Sequence, residues 1–308
     1  MGSIATNQVT TSGSLAGPAD YIALLKPRVM SLVVFTALAT IIVAPGTMNP
    51  VIAFAAILCI AIGAGAAGAL NQWYDADIDA IMKRTSARPV PSGRVSAQEA
   101  LEFGSVLAFG SVFCMAFLVG YLAAALLAVT IGFYLFVYTM WLKRLTVQNI
   151  VIGGAAGALP PVIAWAAATG SVEAPLPWLL FLIIFLWTPP HFWALALAGS
   201  EDYARANVPM LPVVKGARAT RNQILIYSLF VAPIAYAPYA LDLTGPIYGA
   251  VTAVAGVGFV ALAVNLWRST ARAERTNAMR LFAFSIFYLF AIFTALAVER
   301  LLGFAPGA

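Results

Sequence analysis

The sequence predicts an all-α membrane protein with nine transmembrane helices in a bundle around a central cavity, which two acidic cytosolic loops cap. Of the 308 residues, 62% are hydrophobic and 9% are charged, and the mean hydropathy is +0.91. A soluble protein cannot bury so much apolar surface behind so few charges. Apolar segments of about 20 residues recur along the chain, and a helix of that length can cross the hydrocarbon core of a bilayer. Because no segment alternates in the manner of a β-strand, helices must satisfy the backbone in lipid.

Nine apolar segments qualify as spans, and Gly120 divides the long run that holds the third and fourth. We expect one transmembrane domain over residues 21–308, made of two pseudo-repeats (about 21–145 and 146–266) and a ninth helix. Residues 1–20 are small and polar, which predicts a disordered tail. The nine spans are 28–46, 51–70, 101–119, 121–142, 150–169, 176–198, 223–241, 246–266 and 281–299.

The basic residues predict how these spans are oriented. If the spans alternate in direction, the N-terminal flank and the loops after spans 2, 4, 6 and 8 share one side. All 17 basic residues except Arg300 lie in those segments. Because basic loops stay in the cytoplasm, we predict a multi-pass protein of the cell (inner) membrane with a cytoplasmic N-terminus and an outer C-terminus. The net charge of +5 then reflects topology, and it gives no reason to expect a nucleic-acid partner.

The first long inner loop opens with three acids after an uncharged span. If the second span continues as a helix beyond Leu70, Asn71, Asp75 and Asp79 form one polar stripe, while Asp77 points to the opposite side. Two carboxylates and an amide suit Mg²⁺, which proteins hold through a few carboxylates together with substrate phosphates. Basic residues follow at once and could face phosphate oxygens: Lys83, Arg84, Arg88 and Arg94.

A plainer interpretation of this loop stays open. Asp79 and Lys83 are four residues apart and could form a surface ion pair on a helix that merely needs solubility. Charge is scarce in this chain, however, and ionisable groups clustered at one mouth of a membrane bundle favour a functional site.

The second long inner loop resembles the first, since each begins with acids and continues with basic residues and two prolines. Asp202 is a further candidate metal ligand, with Tyr203 and Arg205 beside it. Because the two loops lie four spans apart, two related halves could each offer an acidic loop to one shared cavity. Lys143 and Arg144 end the fourth span, where they are either phosphate contacts or ordinary inner-face cations.

Three further features of the sequence each have more than one interpretation. His191 follows two prolines in the sixth span and could be a hydrogen-bonded core residue or a functional group such as a base. Asn149 could orient a phosphate or cap its helix. Glycine stripes at 63–68 and 153–157 favour close helix packing over a site.

Five sequence runs carry a family resemblance: KPRV (26–29), NQWYDADIDAIMKRTSARPVPSG (71–93), KRLTVQNIVIGGAAGALPPVIAWAA (143–167), WTPPHFWALAL (187–197) and EDYARANVPMLPVV (201–214). They resemble the UbiA-type intramembrane prenyltransferase superfamily, and within it a heme-farnesylating branch. One departure is Ala206, which stands where most of the superfamily has the second Asp of a paired Asp-x3-Asp.

The resemblance implies transfer of a farnesyl group from farnesyl diphosphate to a vinyl group of heme b, with water addition, to give heme O. It implies Mg²⁺ on Asn71, Asp75, Asp79 and Asp202. Diphosphate contacts are expected from Lys83, Arg84, Arg88, Lys143, Arg144 and Asn149. Heme contacts are expected from His191, Trp187, Phe192 and Tyr203, with Asp75, Asp79 and His191 as the catalytic residues. Membrane lipid surrounds such an enzyme, and heme A synthase is an expected partner.

Two rival functions remain at this point. A prenyltransferase of a quinone-precursor aromatic acid shares the metal and diphosphate chemistry, although it usually has the second Asp-x3-Asp. A heme or lipid carrier belongs to a different class, and transporters tend to place ionisable groups near the middle of the membrane. Here the spans are almost free of such groups and the acids gather at one face, which favours the enzyme.

Overall fold

The computed structural model describes residues 16–304, and within that part of the chain every regular element is a helix. The short helices are α1 (Pro18–Leu24), α4 (Ala76–Ile81) and α9 (Ser200–Arg205). The long helices are α2 (Pro27–Val43), α3 (Pro50–Tyr74), α5 (Ala97–Leu118), α6 (Tyr121–Leu145), α7 (Asn149–Thr169), α8 (Pro175–Ala198), α10 (Leu211–Ala240), α11 (Pro246–Trp267) and α12 (Ala271–Leu301).

The predicted all-α membrane fold is confirmed. Eight helices of the described chain are long and apolar enough to cross a bilayer: α3, α5, α6, α7, α8, α10, α11 and α12. The ninth span requires α1 and α2 to count together, and these two helices meet at an angle of 57°. The first predicted span therefore corresponds to a bent pair whose main part, α2, has 17 residues.

Local sequence signals explain where these helices begin and bend. Proline occupies the first turn of α2, α3, α8 and α11, where its missing N–H costs no hydrogen bond. Ser96 and Glu99 form a capping box that starts α5 and ends the first long loop. In α10 the positive φ of Gly216 (77°) kinks the helix, and the polar residues Arg218, Arg221 and Asn222 lie between this kink and the predicted span at 223–241.

Two apolar cores hold the bundle together. One lies among α8, α10, α11 and α12 and includes Leu180, Phe259 and Phe293. The other lies among α3, α5, α6 and α7 and includes Ile60 and Met115. Helices α2 and α7 contribute residues to both cores, so they join the two groups of helices into one bundle.

The N-terminal tail is only partly covered by the structure. Residues 1–15 of the predicted disordered tail lie outside the described residues. The end of the predicted tail differs from the expectation, since Pro18 already begins α1. Leu24 at the end of α1 packs on Ala69 of α3 and on Val90 and Val95 of the first loop. Burial of this apolar residue accounts for the early helix start.

Candidate active site

The predicted polar stripe exists at the end of α3. Asn71 is in its last turn, Asp75 joins α3 to α4 and Asp79 lies in α4. All three are buried, with exposed fractions of 4%, 0% and 2%. The Asp77 side chain is 63% exposed. The four-residue spacing thus turns three oxygen-bearing side chains inward and one outward, as helical periodicity requires.

Asp75 is the centre of a dense set of contacts. Asn71 Nδ2 donates to Asp75 Oδ2 at 2.6 Å and is also 3.1 Å from Thr139 Oγ1. Lys143 Nζ donates to the same carboxylate oxygen, and Arg144 Nη2 lies 3.7 Å from Oδ1. Asp75 Oδ1 itself is buried and accepts no hydrogen bond from the described residues. A buried carboxylate oxygen without a donor is costly unless something else contacts it.

The other two acids of the loop bind arginines. Arg88 Nη1 donates to Asp79 Oδ2 at 2.6 Å. Arg144 donates to both oxygens of Asp77, at 2.8 and 2.7 Å, and this guanidinium holds the pKa of the Asp77 carboxyl below its usual range. Arg144 therefore spans the exposed and buried carboxylates, and it stacks over the Tyr74 ring at 5.1 Å.

The two long loops meet over the mouth of the bundle. Ile78 and Met82 of the first loop pack with Tyr203 and Val208 of the second, and Ile150 of α7 completes this cluster. The burial of these apolar side chains fixes the loops against each other. The convergence of the loops explains why both acidic segments end up at one face of the bundle.

The candidate ligands do not all come together. Asp202 pairs with Arg205 in its own loop, and Lys83 and Arg84 are exposed on the first loop. Between residues 16 and 304 no three His, Cys, Asp or Glu side chains lie close enough to share a metal ion. The structure therefore brings Asn71, Asp75, Asp79, Arg88, Lys143 and Arg144 together, and leaves Asp202, Lys83 and Arg84 outside that group.

An apolar cavity of about 150 Å³ adjoins this cluster. Its walls come from α2, α3, α6 and α7 and include Val33, Ile60, Ile131 and Tyr134, with Lys26 at the edge. A larger cavity of about 220 Å³, lined by Trp165, Asp242 and Arg300, lies at the opposite end of α2. The smaller cavity is the one next to the acids, since its lining residue Lys26 donates to Asn71, which in turn donates to Asp75.

The glycine stripes serve two purposes, of which the sequence indicated one. Gly153 lies against the Tyr138 ring and Gly154 against Thr188, so these two allow close helix packing. Gly63 and Gly157 line the apolar cavity, and a Cβ on Gly157 would meet no atom within 4 Å. The glycine stripes were the only hint of this cavity that we identify in the sequence. They did not predict it, because the same spacing of small residues is expected where helices pack closely.

His191 lies between two aromatic rings in the second half of the bundle. Trp187 and Phe282 stack on it with ring centroids 4.3 and 4.6 Å away, and Phe192 contacts it edge-on. His191 Nδ1 is 2.6 Å from Ser285 Oγ, whose hydroxyl donates to the Phe282 carbonyl. In the tautomer that keeps this serine–carbonyl bond, Nδ1 donates to Ser285 and the lone pair is on Nε2.

Asn149 begins α7 and is fully buried. Its Nδ2 donates to the Thr146 carbonyl at 2.7 Å, while its Oδ1 has no donor among the described residues. The Nδ2 group of the side chain thus stabilises the turn before α7, and its oxygen is left without a protein donor among the described residues.

Comparison with known proteins agrees with this architecture. Residues 32–296 match the model of the UbiA prenyltransferase family. The chain is 60% identical over 292 residues to a Parvibaculum lavamentivorans protein named protoheme IX farnesyltransferase, covering 94% of this chain and 92% of that protein. It is 60% identical over 291 residues to the protein of the same name from Azorhizobium caulinodans, covering 94% of each.

Solved structures show the same fold at low identity. A structure of digeranylgeranylglyceryl phosphate synthase superposes with a TM-score of 0.75 at 16% identity, covering 92% of this chain and 98% of the other. A UbiA homolog from Archaeoglobus fulgidus bound to DMAPP and Mg²⁺ gives a TM-score of 0.63 at 16% identity, covering 89% and 99%. The family model matches residues 32–296, and the Parvibaculum relative aligns with 94% of this chain. The chain therefore belongs to the UbiA prenyltransferase family.

Proposed function

We propose that this protein transfers the farnesyl group of farnesyl diphosphate to a vinyl group of heme b, with addition of water, to give heme O and diphosphate. Its close relatives carry the name protoheme IX farnesyltransferase. The observation that carries the proposal is the joining of an apolar cavity to a buried, charge-rich cluster. A prenyl diphosphate has the same two parts, an apolar chain and a polyanionic head.

The reaction requires stabilisation of the leaving group. As the bond between the farnesyl carbon and its oxygen breaks, negative charge builds on the diphosphate, and preorganised cations lower the energy of that state. Lys143, Arg144 and Arg88 already lie at the cluster, and Lys83 and Arg84 on the covering loop supply further positive charge. The second Nδ2 hydrogen of Asn149, which does not bind the Thr146 carbonyl, is the donor of a further diphosphate contact in this proposal.

The carbon left behind becomes cationic and must meet the heme vinyl group before water. The vinyl carbon attacks it, and water then adds to the new cation on the porphyrin side chain and loses a proton to leave a hydroxyl group. An apolar chamber keeps water away from the farnesyl carbon. Val33, Ile60 and Ile131 form such walls here.

The residues present fit a Mg²⁺ ion. Asp75 Oδ1 is a buried oxygen without a hydrogen-bond donor, and the neighbouring Asp79 carboxylate supplies a second hard ligand. We assign Asn71, Asp75 and Asp79 to the metal, with Asp202 reaching it from the second loop. The bound ion would neutralise charge on the diphosphate. Lys143 and Arg88, which pair with these carboxylates here, would then turn to phosphate oxygens.

His191 is the proposed contact to heme in the second half of the bundle. Its free Nε2 lone pair suits either the heme iron or a proton of the captured water. Trp187 and Phe192 hold the imidazole from two sides, and Tyr203 covers the mouth.

We further propose a cytoplasmic N-terminus and an outer C-terminus in the cell (inner) membrane. We also propose that the domain consists of two pseudo-repeats, and that heme A synthase is the partner that receives heme O.

Product analysis tests the acceptor. We expect purified protein with farnesyl diphosphate and Mg²⁺ to convert heme b to a product heavier by one farnesyl group and one hydroxyl group, as detected by mass spectrometry. A parallel reaction contains 4-hydroxybenzoate in place of heme b. Prenylated benzoate without any modified heme would reject heme as the acceptor and favour the quinone-precursor activity. Heme binding without either product would favour a carrier.

Filling the apolar cavity tests where the farnesyl chain lies. Gly157→Trp places a large ring in open space, so the protein should fold while farnesyl transfer falls on the order of 100-fold, since a displaced substrate loses its reactive alignment. Steady-state kinetics with farnesyl diphosphate measure this effect. Gly110→Trp is the matched control, because a Cβ at exposed Gly110 of α5 also meets nothing within 4 Å. Equal rates in the two variants would place the chain elsewhere.

A further inference from the structure

Lys26 occupies an unusual position between α1 and α2. It has a left-handed backbone (φ 53°, ψ 55°), which a lysine adopts rarely, and Pro27 follows it directly. This conformation lies at the 57° bend between the two helices. The bend turns the lysine toward the bundle, whereas Arg28, two residues later, is exposed.

The Lys26 side chain connects the two parts of the site. It helps to line the apolar cavity. Its Nζ donates to Asn71 Oδ1 at 2.6 Å, and Asn71 Nδ2 donates onward to Asp75 at 2.6 Å. The ammonium group thus lies where the apolar chamber ends and the carboxylate cluster begins.

Lys26 differs from the neighbouring cations of the cluster because each of them forms an ion pair with a carboxylate. Arg88 pairs with Asp79, and Lys143 and Arg144 pair with Asp75 and Asp77. Over residues 16–304 no carboxylate lies within 4 Å of Lys26, and its one side-chain partner is the neutral Asn71 amide. A partly buried cation with only a neutral partner is suited to an anionic ligand.

The boundary position indicates which atom of that ligand Lys26 meets. When the chain of a prenyl diphosphate lies in the apolar cavity and its head lies among the cations, the oxygen that joins carbon to phosphorus is at the boundary. We infer that Lys26 donates a hydrogen bond to this scissile oxygen. When the carbon–oxygen bond breaks, the electron pair stays on that oxygen, and the Lys26 N–H contact strengthens as its charge grows. The inference rests on the proposed prenyl-transfer function, and it separates Lys26 from the cations that contact the outer phosphate oxygens.

A ligand pair that differs in one atom tests the inference without heme. Farnesyl diphosphate and farnesyl thiolodiphosphate, in which sulfur replaces the scissile oxygen, are titrated calorimetrically into the full-length protein with Mg²⁺. We expect Lys26→Met to weaken binding of the oxygen ligand by about 10- to 100-fold, the value of a hydrogen bond from a charged group. The sulfur ligand is a poor acceptor, so its affinity should change less than about threefold.

The control is Arg28→Met, which removes the same charge from an exposed site two residues away and should leave both affinities unchanged. Lys26→Arg keeps a donor and should recover part of the oxygen-ligand affinity, and thermal unfolding checks that each variant is folded. Equal weakening of both ligands by Lys26→Met, or no weakening of either, overturns the inference. Because no acceptor is present, these results are independent of whether heme b is the substrate.

Discussion

Replacing Asp75 with Ala is expected to lower farnesyl transfer by at least about 1,000-fold, the upper range for losing one group that stabilises a developing charge. Asp75 has the least exposed carboxylate of the first loop, and its buried Oδ1 has no hydrogen-bond donor among the described residues. Its loss would remove a proposed metal ligand and also leave Lys143 without its partner. The measurement is a single-turnover assay of heme O formation in detergent or nanodiscs.

Two further variants separate chemistry from folding in this experiment. Asp75→Asn keeps the shape of the side chain and should lose nearly as much activity, because the negative charge is what a metal requires. Asp77→Ala removes an exposed carboxylate two residues away and should change the rate less than about threefold, as expected for a surface ion pair. Near-normal turnover in folded Asp75→Ala would remove the acidic stripe from the mechanism.

Removal of divalent cations with EDTA is expected to reduce farnesyl transfer at least about 100-fold, since in the proposed mechanism a metal ion would supply much of the charge compensation on the leaving group. Adding Mg²⁺ in excess of the chelator should restore the rate. The midpoint of thermal unfolding without substrate should move little, because Lys143 and Arg88 pair with Asp75 and Asp79 and compensate their charge.

The control for chelation is preformed Mg-EDTA, which should leave the rate unchanged. Calorimetric titration of farnesyl diphosphate with and without Mg²⁺ gives a second measurement that does not depend on heme. Full activity in excess chelator, together with unchanged diphosphate affinity, would contradict metal-assisted departure of the diphosphate.

Much of this protein follows from its sequence because the relevant signals are local. Apolar length and proline at first turns predict the helices, since a hydrocarbon layer of about 30 Å and the missing proline N–H act on each segment separately. The inward turn of Asn71, Asp75 and Asp79 also follows from local geometry, because residues four apart share a helix face. The bent α1–α2 pair departs from the straight first span that apolar length alone predicts.

Only the tertiary structure decided which side chains pair across the site. Lys143 meets Asp75 across 68 residues of sequence, Lys26 meets Asn71 across 45, and His191 meets Ser285 across 94. Such contacts depend on how helices pack and on single backbone conformations such as that of Lys26, which no periodicity encodes. The cavity beside them has the same origin. The sequence does not distinguish a glycine whose side is filled by a neighbour from one beside open space. Tyr138 packs against Gly153, whereas no atom lies within 4 Å of a Cβ placed on Gly157.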